Sequence, residues 1–171
     1  MLFRSQAGLR GEYYYRDLVQ KTLDKSYDYD EFSFFPSLHL SKKFGTSNDL
    51  IFSYSRRVHR PDDRTLNPFP DYSDDYYLSM GNPELEPMYT NSFELNYRKG
   101  LGRSFISFET FLRQTDNVMT RYSELLETGQ LLLTTRNVGS NMVYGLEFAA
   151  NVNAAKWFRF YLSSHYYRYD F

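Results

Sequence analysis

The side chains that could carry out chemistry in this sequence are few and widely spread. His39, His59 and His165 lie on three different predicted elements, so the spacing does not favour a shared metal or catalytic site. Cysteine is absent, which excludes a disulfide framework, a thiolate zinc site and a thiol nucleophile. No phosphate-binding loop, His-Glu-x-x-His, Gly-x-Ser-x-Gly or dinucleotide fingerprint occurs. The sequence therefore predicts no enzyme and no cofactor.

Acidic residues form three small groups between the hydrophobic segments. They are Asp62-Asp63, Asp74-Asp75 and the run Asp28, Asp30 and Glu31. Several carboxylates together can hold a hard cation such as Ca²⁺. The spacing matches no calcium loop, and we expect solvated surface with no metal site.

A better candidate for binding is a cluster of arginines followed by aromatic residues in a proline-rich stretch. The candidate ligand-binding residues are Arg56, Arg57, Arg60, Phe69, Tyr72, Tyr76 and Tyr77. The rings could stack on a sugar or an aromatic chelator, and the arginines could attract an anionic ligand. Alternatively, the rings pack this long segment against itself and the arginines pair with nearby aspartates.

Composition indicates a β-sheet protein. Seventeen Tyr and fifteen Phe stand against a single Trp, and aromatic residues fit pleated, half-buried surfaces. The net charge of −1 excludes a strong electrostatic attraction to nucleic acid. The sequence contains no run of about 18 apolar residues, so it predicts no membrane-spanning helix. The mean hydropathy of −0.61 is compatible with strands whose apolar and polar faces average out.

Period-2 alternation dominates the chain and predicts about seven long strands. In one of them Phe93, Leu95 and Tyr97 alternate with polar residues. The segments are 3–16, 34–44, 50–57, 90–98, 104–118, 131–152 and 158–165. Phe111 falls on the polar side of its strand, which predicts either a β-bulge or an aromatic side chain that fills the lumen.

The predicted connections differ in length between the two ends of the sheet. Long connections at 17–33, 61–89 and 119–130 alternate with short ones at 45–48, 99–103 and 153–156. Outer-membrane barrels have short periplasmic turns and longer extracellular loops. The prediction is an all-β, antiparallel up-and-down meander of a transmembrane β-barrel. Because membrane sheets must close, we expect residues 1–171 to be a single partial domain of a wider barrel.

The polar faces of these strands are predicted to line the lumen. The lumen-facing polar residues are Arg10, Glu12, Glu94, Arg98, Glu109, Arg113, Glu147 and Arg159. They could guide a substrate or hold a plug domain. Any wet lumen also needs polar side chains, and opposite charges on neighbouring strands pair.

Three blocks resemble TonB-dependent receptors of the outer-membrane-protein β-barrel family. The blocks are Tyr54–Pro61 with Leu66–Phe69, Gly81–Pro87 with Tyr89–Leu95, and Asn137–Gly139 with Tyr144–Glu147. Met88 departs from the family pattern, which usually has an acidic residue there. The resemblance implies a barrel of roughly 22 strands around a plugged lumen, and this sequence shows neither a plug domain nor a TonB-contacting segment.

The resemblance also implies energy-coupled import of a bulky nutrient such as a ferric siderophore, cobalamin or a glycan. The partners of the protein would be outer-membrane lipid, a plug domain, the TonB complex and a small-molecule or glycan ligand. Its location would be the outer membrane of a Gram-negative bacterium. Two alternatives stay open. One is a passive porin-like or structural outer-membrane barrel, and the other is a soluble carbohydrate-binding β-protein.

Overall fold

The computed structural model describes residues 2–171, and most of them belong to β-strands. The elements are β1 (Leu2–Gln20), β2 (Lys25–Phe44), β3 (Asn48–His59), α1 (Asp63–Leu66), β4 (Tyr77–Ser79), β5 (Met88–Leu101), β6 (Ser104–Asp116), β7 (Met119–Leu125), β8 (Leu131–Asn137), β9 (Ser140–Ala155) and β10 (Phe158–Asp170). Within residues 2–171, no helix is long and apolar enough to cross a membrane.

The main sheet has seven strands in the order β1-β2-β3-β5-β6-β9-β10, and all neighbours pair antiparallel. This confirms the predicted meander of seven long strands. Gly45 and Gly102 occupy tight turns with φ of 63° and 65°, a conformation that glycine adopts without steric cost. A second sheet of three short strands, in the order β4-β8-β7, lies in the connections at the opposite end.

Three predicted boundaries were wrong. The connection 17–33 is a turn at 21–24, because β1 and β2 continue as a paired ribbon from Tyr13↔Phe32 to Gln20↔Lys25. The connection 119–130 contains β7. The single strand at 131–152 is two strands, β8 and β9, separated where Gly139 adopts a φ of 52°.

Phe111 lies on the polar face and is almost fully buried, with no bulge in its strand. Its ring covers Gly145 on the neighbouring strand, where an added Cβ would lie 3.0 Å from the ring edge. Arg113 stacks on the same ring, 4.6 Å from its centre. Of the two sequence-based alternatives, the bulge is therefore wrong and the face-filling aromatic side chain is correct.

The register gives the main sheet one polar and one apolar face. All eight predicted polar residues, Arg10, Glu12, Glu94, Arg98, Glu109, Arg113, Glu147 and Arg159, lie on the polar face. The opposite face carries exposed apolar side chains on strand after strand: Leu9, Tyr13, Phe34, Phe93, Leu95, Phe108, Leu146, Leu162 and Tyr166. A surface this apolar needs a non-aqueous environment.

The apolar side chains form a band that runs diagonally across the strands. At the border of the band nearer the long connections, the first polar residue on this face is Asp17 in β1 and Arg168 in β10. When the register is followed from strand to strand, however, Arg168 lies level with Ala7 of β1 and not with Asp17. The border therefore descends roughly 34 Å along the strands while crossing six strand spacings of about 4.8 Å. The resulting inclination of about 50° is close to the tilt of roughly 45° that membrane-spanning strands adopt.

The best-buried side chains lie in the connection between β3 and β5 and not in the main sheet. Leu85 and Pro87 are fully enclosed, and Leu66 of α1 is 2% exposed. Asp62 caps α1, accepting a hydrogen bond from the Thr65 N–H at 2.7 Å. This connection is therefore a packed substructure with its own small core.

Candidate functional site

The four candidate aromatic residues are exposed in the connection between β3 and β5. Tyr72 and Tyr76 are 72% and 75% exposed, and Phe69 and Tyr77 are about half exposed. Asp74 accepts hydrogen bonds from the N–H groups of Tyr76 and Tyr77, which fixes the backbone here as a turn. Within residues 2–171, none of these four rings stacks on another ring.

The three candidate arginines do not form one cluster. Arg57 is exposed on the polar face. Arg56 lies over the ring of Tyr89, 4.9 Å from its centre. Arg60 binds Glu12 at 2.6 Å and covers the ring of Tyr14. Arg56 and Arg60 are therefore engaged in contacts within the protein. Of the three candidate arginines, Arg57 is the one that is free to contact a ligand.

A polar network fills the space where β2 and β3 diverge. These strands pair only between Ser37↔Ser55 and Phe44↔Asn48. Beyond that point the hydroxyl of Tyr89 donates to Glu31 at 2.6 Å and lies 3.0 Å from Ser33. The Tyr29 hydroxyl also donates to Glu31. The ribbon of β1 and β2 is thereby attached to the start of β5.

Arg16 connects the same ribbon to the connection between β3 and β5. Its guanidinium is buried and donates to the carbonyl oxygens of Leu85 and Pro83, each at 2.9 Å. It also lies over the ring of Tyr29. One side chain thus satisfies two backbone acceptors of the Gly81–Pro87 segment, and sequence reasoning did not identify it because nothing local distinguishes Arg16 from other strand arginines.

Gly81 brings the second resemblance block against the first. Its N–H donates to the Asn67 carbonyl at 2.9 Å, and the next N–H, of Asn82, donates to the Thr65 carbonyl at 2.8 Å. A Cβ at Gly81 would lie 2.6 Å from both carbonyl oxygens. Glycine is therefore required here by the close approach of two backbone segments.

The third block joins at Asn137. Its side chain accepts from the Glu86 N–H and donates to the carbonyls of Glu86 and Asn117. Asn82 similarly donates to the Thr135 carbonyl at 3.0 Å. The three blocks of the resemblance therefore meet in one hydrogen-bonded node at the end of the sheet opposite the tight turns.

Beside this node lies a cleft of about 610 Å³. One wall is a face of β7 and β8 that carries Arg121, Ser123, Leu133 and Thr135. The other wall is formed by Arg64 and Thr65 of α1 with the segment from Ser79 to Gly81. Neither Arg64 nor Arg121 was singled out in the sequence, because they lie far apart along the chain and only the folding of the connections brings them together.

The charged residues of the polar face make short contacts with neighbouring strands. Arg113 lies 3.5 Å from Glu94, and His165 lies 3.3 Å from Glu147. Glu109 with Asn96 and Arg159 with Asn153 also pair between neighbouring strands, whereas Arg10 pairs with Glu12 within β1. Arg98 stacks on Phe105. These contacts favour a structural role for each residue.

Asp62, outside the main sheet, has a lowered pKa. The main cause is the hydrogen bond from the Thr65 hydroxyl, followed by the bond from the Thr65 N–H, with smaller contributions from the charges of Arg64 and His59. Asp62 thus serves as a helix cap. Within residues 2–171, no group of three or more His, Asp or Glu side chains could hold a metal ion.

Comparison with solved structures shows the same fold over almost the whole chain. The siderophore receptor PirA from Pseudomonas aeruginosa matches with a TM-score of 0.71 and 16% identity, covering 98% of this chain and 34% of PirA. The copper transporter OprC matches with a TM-score of 0.70 and 12% identity, covering 98% of this chain and 26% of OprC.

The Serratia marcescens hemophore receptor HasR, solved as a double mutant with its hemophore HasA and heme, has a TM-score of 0.66 and 17% identity. It is matched over 98% of this chain and 30% of HasR. This chain thus spans about a third or less of each of these three proteins. Among curated protein sequences, none is similar enough to count as a relative.

The family comparison covers residues 2–171, which match the model of the outer membrane protein beta-barrel family. The exposed apolar band and its inclination agree with this match, because such a surface is stable against lipid and not in water. The alternative of a soluble carbohydrate-binding protein is therefore wrong. The chain belongs to the outer membrane protein β-barrel family and is located in the outer membrane of a Gram-negative bacterium.

Proposed function

We propose that this chain is a section of a TonB-dependent receptor that imports a bulky nutrient such as a ferric siderophore, cobalamin or a glycan. The observation that carries the proposal is the fold match over 98% of the chain to a siderophore receptor and a hemophore receptor. The folded connection between β3 and β5 supports it, because a nutrient receptor needs an ordered surface at the outer mouth.

In this proposal the polar face lines the lumen, and the node made by the three blocks lies at the extracellular end. Arg57, Phe69, Tyr72, Tyr76 and Tyr77 are available to contact a ligand, since all five are exposed. Arg56 and Arg60 would support them through the contacts with Tyr89 and Glu12. The plug domain and the TonB complex are the expected partners, and no catalytic role is assigned.

The test is nutrient uptake by the bacterium that produces the protein. Cells that lack the gene should take up less of one labelled nutrient, out of a panel of ferric siderophores, heme, cobalamin and oligosaccharides. Uptake should also stop when a protonophore collapses the proton gradient or when the TonB gene is deleted.

A passive barrel predicts a different result. Uptake would then continue after protonophore treatment and would show no saturation with nutrient concentration. That outcome would favour the porin-like alternative, whose strands would present the same two faces.

A further inference from the structure

The cleft between α1 and the small sheet carries two arginines that the node leaves unused. We infer that it binds a soluble ligand with two or more anionic oxygens next to an apolar or aromatic body. This inference rests on the proposed function and selects among its ligands, because it favours an anionic chelate over a neutral glycan.

The two arginines of the cleft are exposed and form no direct ion pair among the described residues. Within residues 2–171, neither Arg64 nor Arg121 has a carboxylate within 4.0 Å. The nearby Asp62 accepts both hydrogen bonds from Thr65 on its Oδ1 and makes no ion pair with Arg64. Arg136, on the opposite face of the same sheet, is by contrast paired with Glu124 at 3.2 Å. Both arginines that face the cleft are therefore available to an external anion, whereas Arg136 is paired.

The remaining lining is suited to an anion that carries an apolar part. Hydroxyl groups of Ser79 and Ser123 are additional hydrogen-bond donors, while Met80 and Leu133 offer apolar contact. A guanidinium binds carboxylate or phosphate oxygens in a two-pronged geometry. The volume of about 610 Å³ falls within the range of roughly 300–1,000 Å³ for small-ligand sites.

The two walls of the cleft are fixed to each other at their base. The Met80 N–H donates to the Leu133 carbonyl at 3.0 Å, and β4 pairs in parallel with β8. The Gly81 N–H then donates to the Asn67 carbonyl just beyond α1. A cleft held in this way loses little conformational entropy when a ligand enters.

The test measures binding of phthalate to the full-length, detergent-solubilised protein by calorimetry. Phthalate carries two carboxylates on one ring, and its neutral counterpart is dimethyl phthalate. We expect phthalate to bind, the diester not to bind, and the double variant Arg64→Gln/Arg121→Gln to lose roughly tenfold in affinity for each arginine. Arg103→Gln, in the turn at the opposite end of the sheet, makes the same chemical change away from the cleft and should bind normally.

Other outcomes would overturn the inference. Equal affinity of the double variant and the unmodified protein would show that phthalate binds elsewhere. Equal binding of the neutral diester would show that binding does not depend on the charge of the ligand. Binding to lipid A micelles without binding to phthalate would assign the arginines to lipid phosphate and not to a soluble ligand.

A second variant guards against misfolding of the first. Arg64→Lys/Arg121→Lys keeps both charges and should retain part of the affinity, with a far-UV circular dichroism spectrum like that of the unmodified protein. If nutrient uptake proves to be TonB-dependent but phthalate binding ignores the arginines, the cleft is wrong and the proposed function stands. If phthalate binds at the arginines but uptake is passive, the cleft is correct and the proposed function is wrong.

Discussion

Asn137 pairs with the backbone of Glu86 through its side chain in the way that a neighbouring strand would. Its Oδ1 accepts from the Glu86 N–H at 2.9 Å, and its Nδ2 donates to the Glu86 carbonyl at 3.0 Å and to the Asn117 carbonyl at 2.8 Å. A carboxamide combines an acceptor with two donors on one planar group. This geometry explains why asparagine stands at position 137.

Replacing Asn137 with Asp keeps the acceptor and removes both donors. The carbonyls of Glu86 and Asn117 then lose their partners, and we expect a loss of about 1–3 kcal/mol in the stability of this region. Hydrogen exchange at the Glu86 amide would measure it. Asn141→Ala removes one exposed hydrogen bond to Tyr169 and should have little effect. Unchanged exchange in Asn137→Asp would contradict the role of the node.

Gly81→Ala places a methyl group 2.6 Å from two backbone oxygens that cannot rotate away. We expect the connection between β3 and β5 to shift, at a cost of about 1–3 kcal/mol. Limited proteolysis of the folded protein would detect the loosened segment. Gly8→Ala is the matched control, because its Cβ meets the Ser37 hydroxyl, which can move. Similar resistance to protease in both variants would show that the approach at Gly81 is not close.

Arg16→Met removes both donors to Pro83 and Leu85 while keeping the length of the side chain. Two buried carbonyls are left unpaired, and the ribbon of β1 and β2 should detach more often from the Gly81–Pro87 segment. Cross-linking between cysteines placed on the two segments would report the distance. Arg4→Met on the exposed part of the same strand should change nothing. Arg16→Lys should recover at most part of the effect, because an ammonium group lacks the planar, two-pronged geometry.

Asp62 makes the order of α1 depend on pH. Because its pKa in the folded protein is lowered, its contribution to stability is complete above the ordinary value of 3.8 and is lost as the pH falls below that value. Protection of the Thr65 amide from exchange, relative to the intrinsic rate, should therefore decrease in acid. In Asp62→Asn, which keeps the acceptor but does not titrate, protection should be independent of pH across this range.

Leu95→Arg tests which face of the sheet meets lipid. An arginine near the middle of the bilayer costs about 2–4 kcal/mol in a membrane barrel. We expect less folded protein in the outer membrane, measured by quantitative blotting of the membrane fraction. Asn96→Arg, at the next position on the opposite face, lies beside Glu109 and should assemble normally. Poor assembly of Asn96→Arg with normal assembly of Leu95→Arg would show that the face of Asn96, and not that of Leu95, meets lipid.

The strands and their two faces follow from the sequence because side-chain alternation is a local property of an extended chain. Phe93, Leu95 and Tyr97 fall on the apolar face whatever the neighbouring strands are. The ribbon from Tyr13 to Phe34 was missed beyond residue 16 because it extends past the apolar band. There Asp17 and Asp30 are polar on the face where apolar residues would mark a strand, and pairing between the two strands keeps them extended.

The node and the cleft required the tertiary structure. Asn137 and Gly81 are recognisable only as parts of the resemblance blocks, and Arg16 belongs to none of them. The hydrogen bonds of all three residues join segments that are far apart in the chain. Arg56 and Arg60 looked available in the sequence, but contacts with Tyr89 and Glu12 occupy them. Arg64 and Arg121 face one cleft only because β4 pairs with β8, a long-range contact that no local pattern specifies.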